Sequence, residues 1–126
     1  MKTPISISEA ESVVMQVLWQ MSPSPTEDII TALKHQEKWQ ESTIKTLLNR
    51  LLKKGAISAR KDGRRYLYSP VLKRDQWLSS ESAGLLDRLF GGRVAPLVAH
   101  FSQQGKLTRK DIAELRRLIQ ELDDER

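Results

Sequence analysis

Apolar residues recur along this chain at helical spacing, interrupted once by a segment that alternates. Ala10, Val13, Val14, Val17, Leu18 and Met21 form the first stripe. It follows Ser8-Glu9-Ala10-Glu11, a capping box in which the serine oxygen takes an amide hydrogen and Glu11 reaches back. The prolines of Ser22-Pro23-Ser24-Pro25 end that helix. Ser24 with Glu27 repeats the capping pattern, Pro25 suits a first helical position, and Ile29, Ile30 and Leu33 mark a short second helix. That helix fades into the polar run Lys34 to Lys38.

A third stripe, Ile44, Leu47, Leu48, Leu51 and Leu52, ends at Gly55, the expected left-handed cap. Winding it at the helical angle turns Ser42, Thr46, Asn49 and Lys53 to the opposite face, with Lys45 on one flank and Thr43 and Arg50 on the other. Ile57 to Lys61 and Arg64 to Ser69 read as strands, with Tyr66 and Tyr68 alternating about Leu67. Asp62-Gly63 between them predicts a hairpin turn in which both residues take positive φ. Three helices followed by a hairpin is the order of a winged helix-turn-helix.

Helical stripes return afterwards. Lys73 to Phe90 carries Trp77, Leu78, Leu85, Leu86, Leu89 and Phe90 and stops at Gly91-Gly92. Val94, Leu97, Val98 and Phe101 form a short amphipathic element. Thr108 with Asp111 caps a last helix in which Ile112, Leu115, Ile119 and Leu122 make a seam like that of a coiled coil, with Leu118 beside it. The expected fold is mainly α with a small β-hairpin. A winged helix-turn-helix domain spans 1–72 and a helical dimerisation region spans 73–126. A first domain with its own core leaves the later stripes without one, which points to burial against a second copy.

Charge separates the two regions. The chain is 126 residues long with a formal net charge of +5. Residues 1–78 hold 13 Lys/Arg against 8 Asp/Glu, whereas residues 79–126 hold 8 of each. From Ser42 to Arg74, Lys45, Arg50, Lys53, Lys54, Arg60, Lys61, Arg64, Arg65, Lys73 and Arg74 face a single acid, Asp62. A basic helix and hairpin suit double-stranded DNA. Ser and Thr meet bases or thymine methyls, Asn suits adenine, and Lys or Arg suits guanine or phosphate. Ser42, Thr43, Lys45, Thr46, Asn49, Arg50 and Lys53 are the candidate groove residues, and Lys61, Arg64 and Arg65 the candidate backbone contacts of the wing. Such faces also occur as plain solvated surface, and a charged hairpin also guards a sheet edge. An adaptor that meets an acidic protein through the same surface is the alternative, as is a repressor of an unrelated operon with a different signal.

Other chemistry finds little support. There are 0 cysteines and 2 histidines, His35 and His100, so neither a thiolate site nor a metal site is expected. There is no phosphate loop, nucleophile set or paired carboxylate motif, so the chain reads as no enzyme and needs no cofactor. No apolar run reaches a membrane span and no signal segment opens the chain, so a cytoplasmic protein without direct membrane binding is expected. Trp39 reads as a packing anchor, Trp19 and Trp77 as core, and His35 as exposed.

These residues resemble the penicillinase repressors of the BlaI/MecI type. The resemblance runs from Ile7-Ser8-Glu9-Ala10-Glu11 to the last helix. It is most specific in Trp39-(x)3-Thr43-Ile44-Lys45-Thr46-Leu47, in Arg50-Leu51-(x)1-Lys53-Lys54-Gly55 and in Tyr66-(x)1-Tyr68. Gly91-Gly92 and Leu97-Val98-Ala99-His100-Phe101 fall where the family has a glycine pair and its cleavage segment. The resemblance implies a homodimeric repressor on an inverted-repeat operator of a β-lactamase-type promoter. Ser42, Thr43, Lys45 and Thr46 would approach bases, while Arg50 and the wing would contact the backbone. It also implies release by a membrane-bound zinc metalloprotease sensor that cuts the dimerisation region. The residues expected there are Leu85, Leu86, Leu89, Val98, Phe101, Ile112, Leu115, Ile119 and Leu122, with His100-Phe101 the candidate bond. Two positions depart from the family: it cuts after an asparagine where this chain has His100, and it starts the third helix with Ser-Pro where this chain has Gln40-Glu41. The related copper-responsive repressors carry a C-terminal cysteine cluster that is missing here.

Overall fold

A computed structural model describes residues 5–125. The elements are α1 (Glu9–Gln20), β1 (Ser24–Pro25), α2 (Thr26–Gln36), α3 (Glu41–Lys54), β2 (Ile57–Asp62), β3 (Arg65–Pro70), α4 (Arg74–Phe90), α5 (Val94–Gln103) and α6 (Arg109–Asp124). Two compact units divide the chain, Met1–Ser80 and Glu81–Arg126. Helices α1 to α3, the sheet and the first two turns of α4 therefore belong to the first unit.

The first unit is built on one core. Val14, Met15, Val17 and Leu18 of α1 close over Ile29, Ile30 and Leu33 of α2 and over Ile44, Leu47, Leu48 and Leu51 of α3. Ile57 and Leu72 complete it from the hairpin and the approach to α4, and Trp19, Trp39 and Trp77 pack partly buried against it. Met21, at the end of the α1 stripe, lies beyond the helix and is exposed. At the start of α1, the Glu11 amide donates to Ser8 Oγ at 3.1 Å and the Ser8 amide donates to Glu11 Oε1 at 2.8 Å. The reciprocal box expected from the sequence is thus formed.

The second capping box is not. Ser24 Oγ donates to the Met21 carbonyl, and Pro25, which offers no side-chain hydrogen bond, precedes Thr26 as the cap of α2. Ser24 and Pro25 instead form an edge strand, with Ser24 opposite Tyr68 and Pro25 opposite Leu67 in a sheet ordered β1-β3-β2. Pro25 has no amide hydrogen to give a ladder, and an edge position tolerates that lack.

The hairpin also turns one residue later than its Asp-Gly pair suggests. Asp62 pairs with Arg65 across the ladder, leaving Gly63 and Arg64 at the tip. Gly63 has φ of 63°, and among the described residues no non-glycine residue has positive φ. One positive φ at the first turn position is the II′ pattern, whereas the sequence reading required two. Asp62 is therefore a strand residue, and Arg64 occupies the turn rather than the strand.

The second unit has a different character. Thr108 and Asp111 form a complete capping box at the start of α6, yet none of the described residues of α4, α5 or α6 is buried. Leu89, Phe101, Ile112, Ile119 and Leu122 are exposed apolar side chains. Among the described residues, no helix is long and apolar enough to cross a membrane.

Candidate nucleic-acid interface

Helix α3 carries the candidate surface because one of its faces is fully committed to the core. Ile44, Leu47, Leu48 and Leu51 are buried, and Gly55 ends the helix at φ of 77°. The Gly55 and Ala56 amides close onto carbonyls of the last turn, with Ala56 N donating to Leu51 O at 3.0 Å. This closure places the hairpin directly after the helix. The opposite face is left to solvent. Ser42, Thr43, Lys45, Thr46, Asn49, Arg50 and Lys53 are all exposed, as the winding of the stripe predicts.

Two shallow depressions divide that face. Ser42, Thr43, Thr46 and Arg50 line one, and Lys45 and Asn49 line the other together with Thr26 and Tyr68. Thr26 opens α2 and Tyr68 lies on β3. Their place beside Lys45 and Asn49 had no signature in the sequence, because three separate elements create it.

Local bonds set what each side chain can offer. Thr46 Oγ1 donates to the Ser42 carbonyl at 2.9 Å. Its hydrogen is therefore committed to the helix, and it presents an acceptor oxygen and a methyl group outward. Lys45 Nζ lies 3.4 Å from Glu41 Oε1, one helical turn earlier and likewise exposed. Such a pair is weak, about 0.3–0.5 kcal/mol, and opens readily when a stronger anion arrives. Gln40 caps α3 without a side-chain hydrogen bond, so the helix start lacks the bond a serine would give.

The wing carries its charge near the tip. Lys61 pairs across the ladder with Tyr66, and both are exposed. Arg65 Nε lies 3.4 Å from Asp62 Oδ2. Arg60, Lys61 and Arg64 have no ion pair among the described residues, so they meet less internal competition than Arg65.

One member of the basic run belongs elsewhere. Lys54 Nζ donates to Glu11 Oε1 at 2.5 Å and to the Ser6 carbonyl at 3.1 Å. Burial alone would raise the Glu11 carboxyl. The Lys54 hydrogen bond, the Ser8 amide and hydroxyl and the Lys54 charge outweigh it and hold the group below its ordinary value. Lys54 thus holds the fold together, although its position in the sequence is indistinguishable from that of Lys53.

A family model described as the penicillinase repressor matches residues 7–121. The penicillinase repressor of Bacillus licheniformis is 34% identical over 121 residues, covering 96% of this chain and 94% of the relative. The methicillin resistance regulatory protein MecI of Staphylococcus aureus strain N315 is 30% identical over 113 residues, covering 90% of this chain and 92% of the relative. Among solved structures, the DNA-binding domain of the repressor BlaI superposes with a TM-score of 0.55 at 39% identity, over 60% of this chain and 93% of that one. The monomeric form of B. licheniformis BlaI, solved in complex with the blaP half-operator, superposes with a TM-score of 0.53 over the same shares at the same identity. A winged first unit with an exposed polar helix face and a match spanning both units agree: the chain belongs to the penicillinase repressor family and is a DNA-binding transcriptional repressor, not an enzyme.

Proposed function

We propose that this repressor acts as a homodimer on an inverted-repeat operator of a β-lactamase-type resistance operon. The observation that carries this reading is the exposed face of α3, where Ser42, Thr43, Thr46 and Arg50 sit beside Lys45 and Asn49 with every apolar residue turned inward. Thr43, Lys45, Thr46 and Asn49, with Ser42, enter the major groove. Arg50 and Lys53, with Lys61, Arg64 and Arg65 of the wing, contact phosphates. The relative bound to a half-operator as a monomer supports assigning half-site reading to the first unit alone.

The second unit supplies the pairing. Its helices present Leu85, Leu86, Leu89, Val98, Phe101, Ile112, Leu115, Ile119 and Leu122, none of them buried within the chain. A second copy covering these residues joins two heads, so that the second half-site is met at high effective concentration. Half-sites about one helical turn apart, roughly 34–36 Å, suit such a pair. The working division is 1–72 for DNA and 73–126 for pairing, with the first turn of α4 packed on the head through Trp77.

Release follows from breaking the pair. His100 and Phe101 lie inside α5, exposed, with Phe90 and His100 ring centroids 6.3 Å apart. A membrane-bound metalloprotease sensor that unwinds this turn and cuts His100-Phe101 removes α6 from the pairing surface and lowers affinity without touching α3. Sedimentation of the full chain and of a chain ending at Ser80, each with and without DNA from the chain's own promoter, tests the scheme. The expected result is a dimer that binds tightly and a monomeric fragment that binds weakly. A dimeric fragment contradicts the assignment of pairing to the second unit.

A further inference from the structure

Among the described residues, the Glu11–Lys54 pair is the one ion pair of the DNA-binding unit with a buried member, Glu11, and the surface described above does not use it. Glu11 is 1% exposed. Its Oε1 accepts from Lys54 Nζ and from the Ser8 amide, while its Oε2 has no hydrogen-bond partner. A buried carboxylate in this condition is costly unless a cation faces it, and Lys54 is that cation. Lys54 closes α3, and its ammonium also takes the Ser6 carbonyl. One side chain thus ties the C-terminal end of the DNA-facing helix to the start of α1 and to the strand of chain before it.

The neighbouring Lys53 has no such bond. It lies on the outward arc with Thr46 and Arg50, whereas Lys54 turns away towards α1. Two adjacent lysines of the same charge therefore have opposite duties.

We propose that Lys54 and Glu11 are positioning residues for operator reading: they fix the tilt and register of α3 in the groove, and the Lys54 charge takes no part in phosphate binding. This rests on the DNA-reading assignment of α3 made above. If α3 rocks when the pair is lost, Thr43, Thr46 and Asn49 lose alignment with base edges, and sequence discrimination falls while backbone attraction remains.

The test compares full-length Lys53→Met, Lys54→Met, Lys54→Arg and Glu11→Gln. Each is titrated against a duplex from the chain's own promoter and against the same duplex scrambled, over a range of salt. Lys53→Met is expected to lower the slope of log affinity against log salt by about 0.9, the loss of one phosphate contact, on both duplexes. Lys54→Met is expected to keep the slope and to lose discrimination by on the order of tenfold, the cost of one impaired base contact. Glu11→Gln is expected to lose discrimination likewise although it makes the protein more positive, and Lys54→Arg to retain it. Circular dichroism reads the folding of each variant. Should a single change unfold the chain, the double variant Glu11→Gln/Lys54→Met, which removes both charges, takes its place with the same expected loss of discrimination. If Lys54→Met lowers the slope as Lys53→Met does while Glu11→Gln discriminates like the wild type, the positioning role is overturned and Lys54 is a phosphate contact. If the wild type itself shows no preference for promoter DNA, the DNA-reading assignment fails first, an outcome separate from the other.

Discussion

The indole nitrogen of Trp19 donates to the Leu72 carbonyl at 2.9 Å, joining the end of α1 to the residues that lead into α4. The Trp19 and Trp77 rings lie 5.4 Å apart, and the Val71 and Leu72 amides both donate to the carbonyl of Ala56, the second residue after α3. One seam therefore holds the end of α3, the base of the wing and the start of the long helix. Trp19→Phe removes the hydrogen bond and trims the ring, with an expected loss of about 1–2 kcal/mol. Urea unfolding measures it, and an unchanged midpoint contradicts a structural role for the bond.

The proposed base reading rests on few atoms. Thr46 presents an acceptor and a methyl because its hydrogen is held by Ser42, and Lys45 is free to leave Glu41. Thr46→Ala and Lys45→Ala are each expected to weaken binding to promoter DNA by roughly 1–3 kcal/mol, with a smaller effect on scrambled DNA. Equal losses on both duplexes, read by competition in a gel shift, count against base contact at that position.

The wing tip separates conformation from charge. Gly63 has φ of 63° and open space around it, so Gly63→Ala costs only backbone strain, about 1–2 kcal/mol. It is expected to lower thermal stability and loosen the tip. Arg64→Ala keeps the turn and is expected to flatten the salt dependence by about one phosphate contact on any sequence. An unaltered slope takes Arg64 off the contact surface.

Acid is also expected to act through Glu11. Its folded pKa lies below its ordinary value, so the stability it contributes is fully present above the unfolded carboxylate pKa, about 4.3, and is lost as pH falls through the depressed folded value. Lys54 and Ser8 are the groups that hold it there. Unfolding free energy measured from neutral pH down to about pH 3 is expected to fall more steeply in the wild type than in Glu11→Gln. Parallel curves would show that the pair contributes no acid sensitivity.

The helices, the outward face of α3 and both boxes at Ser8 and Thr108 were legible because each is a local pattern: a periodic stripe, a cap and a glycine stop. The failures share one cause. Ser24 carries the sequence of a cap, but the partner that wins it, β3, is far along the chain, and the sheet takes the residue that the helix start would have used. Asp62-Gly63 carries the composition of a turn, yet the ladder pairs Asp62 with Arg65 and moves the tip by one residue. Lys54 could not be told from Lys53 because the carboxylate that claims it lies on α1. Thr26 and Tyr68 joined the candidate surface only once three elements were brought together. In the second unit the same stripes were visible, and they stay unburied within the described residues of the chain.

The central claim is that α3 reads DNA sequence and does not merely attract polyanions. Fluorescence anisotropy of the full-length chain with a labelled duplex from its own promoter, and with the scrambled duplex at the same salt, tests it most directly. Tighter binding to the promoter duplex by a factor on the order of 10³ or more, shrinking when Thr46 becomes alanine, is the result expected. Equal affinities with the same salt slope, unaffected by Thr46→Ala, would contradict it and leave the basic face to an acidic protein partner.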